Sequence, residues 1–334
     1  MLSFTERSVN RQTDLKLSAA ISACCSSGFL AIKKMAKIKR VLGTRKGRLV
    51  GAVLAGIAVL ALAFHAYLDG IQTGADFDSF LTVHYIDVGQ GDSILITLST
   101  GEAMLIDAGP NASEEALEAY LKKQKTDDFQ YVIFTHPHED HIGGGDKIVQ
   151  SYDIENIIMP YAETGTATYE RLLTAIDEKQ LTVKEAVSGD VYSVGEAEFQ
   201  ILAPNSAAYG NANNYSVVIR LVYGDRAFLF MGDAEKEVEE EILDKYTEAD
   251  LWADVLKLGH HGSSTSTSQG FLETVRPLYG IISCGSGNSY GHPHSETLKK
   301  LEAINTAVYR TDLGGTIRAV TDGQRLVFET ERNS

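Results

Sequence analysis

Residues 135–144 read Thr-His-Pro-His-Glu-Asp-His-Ile-Gly-Gly and follow directly on the short apolar run 131–134. No other stretch restricts the fold as tightly. An apolar run of this kind reads as a buried strand, so three histidines and two carboxylates leave the core together at one sheet edge. Buried or crowded, such groups must be paired, hydrogen-bonded or bound to a cation. In extended chain, alternate residues share a face, so His136 and His138 point to the same side. The turn that follows offers Asp140 and His141 to a second point nearby, and Gly143-Gly144 permit a close backbone approach before the next helix. Imidazole nitrogens and carboxylate oxygens in this mixture suit Zn²⁺, with Mn²⁺ as the alternative. A polar loop that happens to be histidine-rich accounts for one such residue, not for the whole run.

Two further stretches leave strands in the same way. Residues 228–233, Phe-Leu-Phe-Met-Gly-Asp, deliver Asp233, a carboxylate placed to bridge two metals unless it only caps the next helix. Residues 256–263, Leu-Lys-Leu-Gly-His-His-Gly-Ser, deliver His260 and His261, of which at least one is expected to be a ligand. The metal-ligating set is therefore His136, His138, Asp140, His141, Asp233, His260 and His261. Residues 291–294, Gly-His-Pro-His, add His292 and His294, which read as supporting or substrate-binding groups or as plain loop histidines.

Around these stretches the hydrophobic pattern predicts strands over 81–87, 94–98, 103–106, 131–134, 183–186, 191–194, 198–202 and 255–258. An apolar hairpin is expected over 214–223 and 227–231, turning at Gly224-Asp225. Helical spacing covers 113–124 (with Ser113 as cap), 166–180, 234–245, 269–275 and 295–303. The tail 306–328 reads as strand–turn–strand. Strands and helices interleave with hairpins, so 80–331 is one α/β (α+β) domain of two similar halves rather than a purely parallel winding.

Ahead of the domain, residues 49–68 (LVGAVLAGIAVLALAFHAYL) carry no charge over 20 positions. As a helix this run spans about 30 Å, the thickness of a bilayer core. Residues 1–48 hold 11 Lys/Arg against 2 Asp/Glu, and the remaining chain holds 19 against 43. A basic leader, one transmembrane or cleaved signal segment, and a 69–79 linker are expected, with the domain outside the cytoplasm. The chain is then a single-pass membrane protein, or a secreted one if the segment is removed. Met35 is an alternative start, which makes 1–34 dispensable. The acidic body rules out nucleic-acid binding through bulk charge alone. Of the cysteines Cys24, Cys25 and Cys284, only the last falls in the domain, so no disulfide framework forms there.

The motifs His-Tyr-Ile-Asp-Val-Gly-Gln-Gly-Asp-Ser (84–93), Leu-Ile-Asp-Ala-Gly (105–109), the histidine stretch, Asn-Asn-Tyr-Ser (213–216), Met-Gly-Asp-Ala (231–234), Gly-His-His-Gly-Ser (259–263) and Tyr-Gly-His-Pro (290–293) occur in order. Together they resemble the metallo-β-lactamase superfamily, and within it the soluble hydrolase domain of the competence protein ComEC and its stand-alone relatives. The resemblance implies a four-layer αββα sandwich with two divalent metal ions at one edge. His136 and His138 would hold the first ion, Asp140, His141 and one of His260 or His261 the second, and Asp233 would bridge them. One departure stands out: no histidine lies between His141 and His260. Asn213, Asn214 or Ser216 occupies the region where many members place a further ligand to the first ion.

The chemistry expected of such a site is hydrolysis by a metal-bound hydroxide, since two close ions lower the pKa of water towards about 7. Asp140 or Asp233 would orient the nucleophile. Ser263, Ser266, Tyr290 or His292 would stabilise the leaving oxygen or the developing charge, which makes Asp140, Asp233 and His292 the catalytic set. The relatives point to a phosphodiester, with nucleic acid among the possible substrates and no obligate protein partner. An amide, lactone or thioester hydrolase, and a non-catalytic metal-bound surface module, are the alternatives.

Overall fold

The computed structural model describes residues 79–162 and 164–332. The expected leader (1–48), transmembrane or signal segment (49–68) and nearly all of the 69–79 linker lie outside the described residues. Among the described residues, no helix is long and apolar enough to cross a membrane.

Two mixed sheets form the centre. One runs Leu326–Thr330, Ile317–Thr321, Leu81–Tyr85, Ile94–Leu98, Ala103–Ile106, Tyr131–Ile133, Ile157–Met159, Val183–Glu185. The other runs Ala307–Arg310, Tyr279–Ile282, Val255–Lys257, Arg226–Phe230, Val218–Tyr223, Ala197–Ala203, Val191–Val194. Each sheet is antiparallel on one side and parallel on the other. The first turns parallel from Ala103–Ile106 onward, and the second is parallel from Arg226–Phe230 to Ala307–Arg310. Parallel neighbours require crossovers, and the helices that supply them cover the outer faces.

Three apolar layers result, and they make the expected αββα sandwich. Tyr85, Ile96, Met104, Phe199, Ile219, Phe228 and Phe230 pack between the sheets. Leu95, Leu105 and Val132 on the other face of the first sheet meet Leu117 and Leu121 of Glu114–Gln124, Ile148 of Gly145–Ser151, and Leu172 of Ala167–Glu178. Leu229 and Leu256 meet Val238 and Ile242 of Lys236–Lys245, Phe271 of Gln269–Val275, and Leu301 of Ser295–Ala303. Both faces of the inner strands are covered, which is why they read as continuous apolar runs rather than alternating ones. Each fully buried aromatic at the sheet interface contributes about 1.5–3 kcal/mol.

Three expectations change. The strand expected from 214 begins at Val218, because Ala212–Tyr215 is a 3₁₀ turn in which Asn211 accepts a hydrogen bond from Asn213 N–H. Ser113 does not cap its helix: its hydroxyl donates to Pro110 O at 2.8 Å. The tail holds three strands where two were expected, and Ile317–Thr321 with Leu326–Thr330 makes the antiparallel strand–turn–strand. Ala307–Arg310 pairs with Tyr279–Ile282, whereas Ile317–Thr321 pairs with Leu81–Tyr85 in the other sheet. The short helical turn Thr311–Gly314 carries the chain across.

Candidate metal centre

The expected ligands gather where strands of both sheets end. Tyr131–Ile133, Arg226–Phe230 and Val255–Lys257 lie in the parallel halves, and their C-terminal exits lead to His136, Asp233 and the 260–261 pair. Carboxyl ends of parallel strands are where such sheets leave room for ligands.

Asp107 organises the first exit. It ends the strand beside Tyr131–Ile133 and adopts a left-handed φ of 58°. Thr135 donates to it twice, from N–H to Oδ1 at 2.8 Å and from Oγ1 to Oδ2 at 2.7 Å. Asp107 Oδ2 also lies 2.7 Å from His141 Nδ1. One buried carboxylate thus ties the strand exit to the single turn Glu139–Ile142, which carries Asp140 and His141. The turn is seated closely. A Cβ on Gly143 would stand 2.2 Å from Asn111 N, and one on Gly91 would stand 2.3 Å from Asp140 O. His136 and His138 share a side as expected, with Nε2 of one 3.0 Å from Nδ1 of the other.

Asp233 stands in the middle, its N–H donating to Ser216 Oγ at 2.9 Å. Its two oxygens face different partners. Oδ1 lies 3.3 Å from His141 Nε2 and 3.6 Å from His261 Nε2. Oδ2 lies 3.9 Å from His136 Nε2 and 3.8 Å from His260 Nε2. Asp140 Oδ2 closes the first group, 3.2 Å from His261 Nε2 and 4.0 Å from His141 Nε2. Of the adjacent histidines, His261 is therefore the one that joins Asp140 and His141.

These residues fit divalent cations. A tetrahedral zinc with bonds of about 2.1 Å sets neighbouring ligand atoms about 3.4 Å apart, and the spacings just described bracket that edge. Asp92, His141, Asp233 and His261 are all buried and offer ligand atoms within 4.8 Å of one another. Asp92 Oδ1, His141 Nε2 and Asp233 Oδ1 are buried with no hydrogen-bond partner. An orphaned buried polar atom is costly, and His141 Nε2 with Asp233 Oδ1, 3.3 Å apart, are satisfied together by a cation.

The electrostatics agree. Burial works against the charge on Asp140, but His141 and His261 outweigh it and bring the carboxyl down to about 2. Burial likewise opposes charge on Asp233, yet His261 and His141 hold it well below the usual carboxylate range. Burial disfavours a charged His141, but Asp233, Asp107 and Asp140 raise it well above 6.5. His261 rises to about 10 against its burial, chiefly through Asp233 and Asp140. His136 is lowered well below 6.5 by burial and by His141, so it offers a free lone pair at neutral pH.

Above the ligands opens a cavity of about 600 Å³, lined by Gln90, His138, Asp140, Asn213, His260, His261, Tyr290 and His292 among others. His292 reaches it as expected. Burial and the neighbouring His261, His260 and His294 bring its ring down to about 4, so it is neutral at pH 7. Two expected helpers do not take part. Ser266 is fully buried, with its hydroxyl donating to Ala234 O at 2.9 Å. Ser263 is buried too and bonds Thr265 Oγ1 at 3.1 Å. His294 is a loop tie, its Nδ1 accepting from Ser264 N–H at 2.9 Å.

Sequence reasoning gave no role to Asp92, Asp107 and Lys257. Lys257 carried a usable signal, a lysine inside an otherwise apolar strand, since such a charge is buried only with a partner. Asp92 is that partner, with Oδ2 2.8 Å from Lys257 Nζ.

The profile of the metallo-beta-lactamase superfamily matches residues 86–286. ComE operon protein 3 of Bacillus subtilis (strain 168) is 30% identical over 253 residues, covering 71% of this chain and 32% of that protein. Recombination protein 2 of Haemophilus influenzae is 30% identical over 255 residues, covering 75% of this chain and 30% of that protein. The chain thus spans about a third of the length of these curated relatives. Among solved structures, the metallo-beta-lactamase fold protein YhfI from Bacillus subtilis is 12% identical with a TM-score of 0.48, covering 72% of this chain and 98% of that one.

Proposed function

The chain belongs to the metallo-beta-lactamase superfamily and is a metallo-hydrolase, and from that premise we propose that it cleaves phosphodiesters outside the cytoplasm. The observation that carries the hydrolytic reading is the division of Asp233, whose two oxygens face separate histidine groups. The residues that would hold two divalent ions are His136, His138 and Asp233 on one side, and Asp140, His141, His261 and Asp233 on the other. Ions so placed acidify water and offset charge on the attacked oxygen.

The chain's own groups do the positioning. Asp140 and Asp233 stay ionised and accept hydrogen bonds from the attacking water, which orients it. His292, neutral at pH 7, lines the cavity, where its imidazole can share a hydrogen bond with an oxygen of the substrate. Tyr290 stacks on His292 with ring centroids 5.6 Å apart and planes 23° apart. Two-thirds of Tyr290 is exposed (66%), so a flat apolar face is offered to a planar group beside the reacting ester.

The phosphodiester class draws support from the matched relatives, one of which is named for recombination. Recombination joins and cuts nucleic-acid strands, and the bond in those strands is a phosphodiester. The placement outside the cytoplasm draws support from the charge-free run 49–68 behind a basic leader. The acidic body then means that recognition depends on groups at the cavity rather than on bulk attraction.

The test is hydrolysis of bis(p-nitrophenyl) phosphate by the purified full-length chain, with and without a chelator. Chelator-sensitive turnover that drops at least ~100-fold in His136→Ala, with unchanged far-UV circular dichroism, is expected. Turnover that survives complete metal removal sinks the mechanism. Cleavage of p-nitrophenyl acetate in place of the diester moves the substrate class to carboxyl esters, amides, lactones or thioesters, and metal binding without turnover of either leaves a binding module.

A further inference from the structure

Where many family members would supply a third histidine to the first ion, this chain has none between His141 and His260. We propose that His260 is that ligand: its Nε2 joins His136, His138 and Asp233 Oδ2 around the first ion, while the adjacent His261 serves the second. The proposal rests on the two-ion reading above and adds to it the division of labour within one His-His pair.

Four observations carry it. First, His260 Nε2 and His136 Nε2 approach the same oxygen of Asp233, at 3.8 and 3.9 Å, whereas His261 Nε2 approaches the other at 3.6 Å. Second, the outer nitrogen of His260 is anchored as those of His136, His141 and His261 are. His260 Nδ1 lies 3.2 Å from Glu235 Oε1 and 3.1 Å from Thr265 Oγ1. His141 Nδ1 has Asp107, His261 Nδ1 has Ser283 O at 3.0 Å, and His136 Nδ1 has Thr135 Oγ1 at 3.2 Å. An anchored Nδ1–H leaves Nε2 as the free lone pair, the usual arrangement of a metal-ligating histidine.

Third, the residues at the departed position brace His260 instead of replacing it. Asn213 Nδ2 donates at 3.5 Å to Glu235 Oε1, the oxygen that faces His260 Nδ1. Asn214 Oδ1 accepts from Glu235 N–H at 3.1 Å, and Ser216 Oγ accepts from Asp233 N–H. Fourth, the backbone takes a strained form that separates the two rings. His260 and His261 are consecutive non-glycine residues with φ of 48° and 52°. Left-handed backbone at two successive residues is held only where the surroundings require it, and it concentrates at functional sites. Here it turns the rings 65° apart, with centroids 6.2 Å apart, so that each faces its own oxygen of Asp233.

The test is zinc stoichiometry and affinity of the chelator-stripped full-length chain, read by competition with a chromophoric chelator. Wild type takes two equivalents. His260→Asn and His260→Gly both suit a left-handed backbone, so they fold, and each keeps one equivalent at an affinity within about threefold of wild type while the other weakens by at least ~10-fold. His294→Asn, outside the cluster, keeps two. Two unweakened equivalents in both His260 variants overturn the proposal and leave the two-ion reading standing, and a wild-type chain that takes up no zinc overturns both.

Discussion

Lys257 Nζ lies 2.8 Å from Asp92 Oδ2, and both side chains are buried directly behind the ligand cluster. The other oxygen of Asp92 stands 3.4 Å from His261 Nδ1. Lysine neutralises one side of the carboxylate while the other side faces a ligand, so the pair links the core of the second sheet to the metal centre. Lys257→Met removes the cation and strands the carboxylate. The metal-free protein is expected to lose about 3–5 kcal/mol in urea unfolding, with much of it regained in Lys257→Met/Asp92→Leu. A single variant as stable as wild type would show that Asp92 is neutralised by something else.

Asp107 supports the site without facing the cavity. Asp107→Asn keeps the shape but loses the charge opposite His141 and one of the acceptors of Thr135. Zinc affinity is expected to fall about 10–100-fold, the usual effect of cutting a ligand's support, with far-UV circular dichroism unchanged. Equal affinity in a zinc titration contradicts the support role.

Zinc uptake is expected to release protons. The carboxylates around His141 and His261 raise the one well above 6.5 and the other to about 10 despite burial, so both rings hold a proton at pH 7 in the metal-free chain. A ligand nitrogen must give its proton up. Calorimetry in buffers of different ionisation enthalpy should therefore show about two protons leaving per chain, and affinity should rise with pH. Heats that do not depend on the buffer refute this.

His84 gives the fold an acid limit away from the centre. Burial, aided by Arg318, lowers its ring to about 3, and its nitrogens meet Tyr120 OH at 2.8 Å and Thr97 Oγ1 at 3.4 Å. Between pH 6.5 and 3 the unfolded chain binds a proton here that the folded chain refuses. The contribution of His84 is therefore whole above 6.5 and falls by about 1.4 kcal/mol per pH unit below it. His84→Gln should flatten the fall in stability between pH 6.5 and 5 relative to wild type. Parallel pH profiles for the two proteins disprove the assignment.

Much of the fold could be read because its signals are local. Apolar runs bounded by glycine marked the inner strands, and helical spacing gave Gln269–Val275 and Ser295–Ala303 to the residue. Sheet partners were not legible in the same way. Ala307–Arg310 joins the second sheet and Ile317–Thr321 the first, and nothing in either segment encodes which distant strand it meets.

The same division runs through the metal centre. Ligand types and the strand exits that deliver them follow from local pattern, because His136, His138, Asp140 and His141 sit within one short segment whose spacing sets their directions. Packing of distant strands sets which imidazole meets which oxygen of Asp233. His260 and His261 are neighbours whose left-handed backbone is imposed by packing, so spacing says nothing of where their rings point. Packing likewise places Asp92 and Lys257 beneath them, because a buried ion pair joins residues 165 positions apart and exists only once both sheets have closed on it.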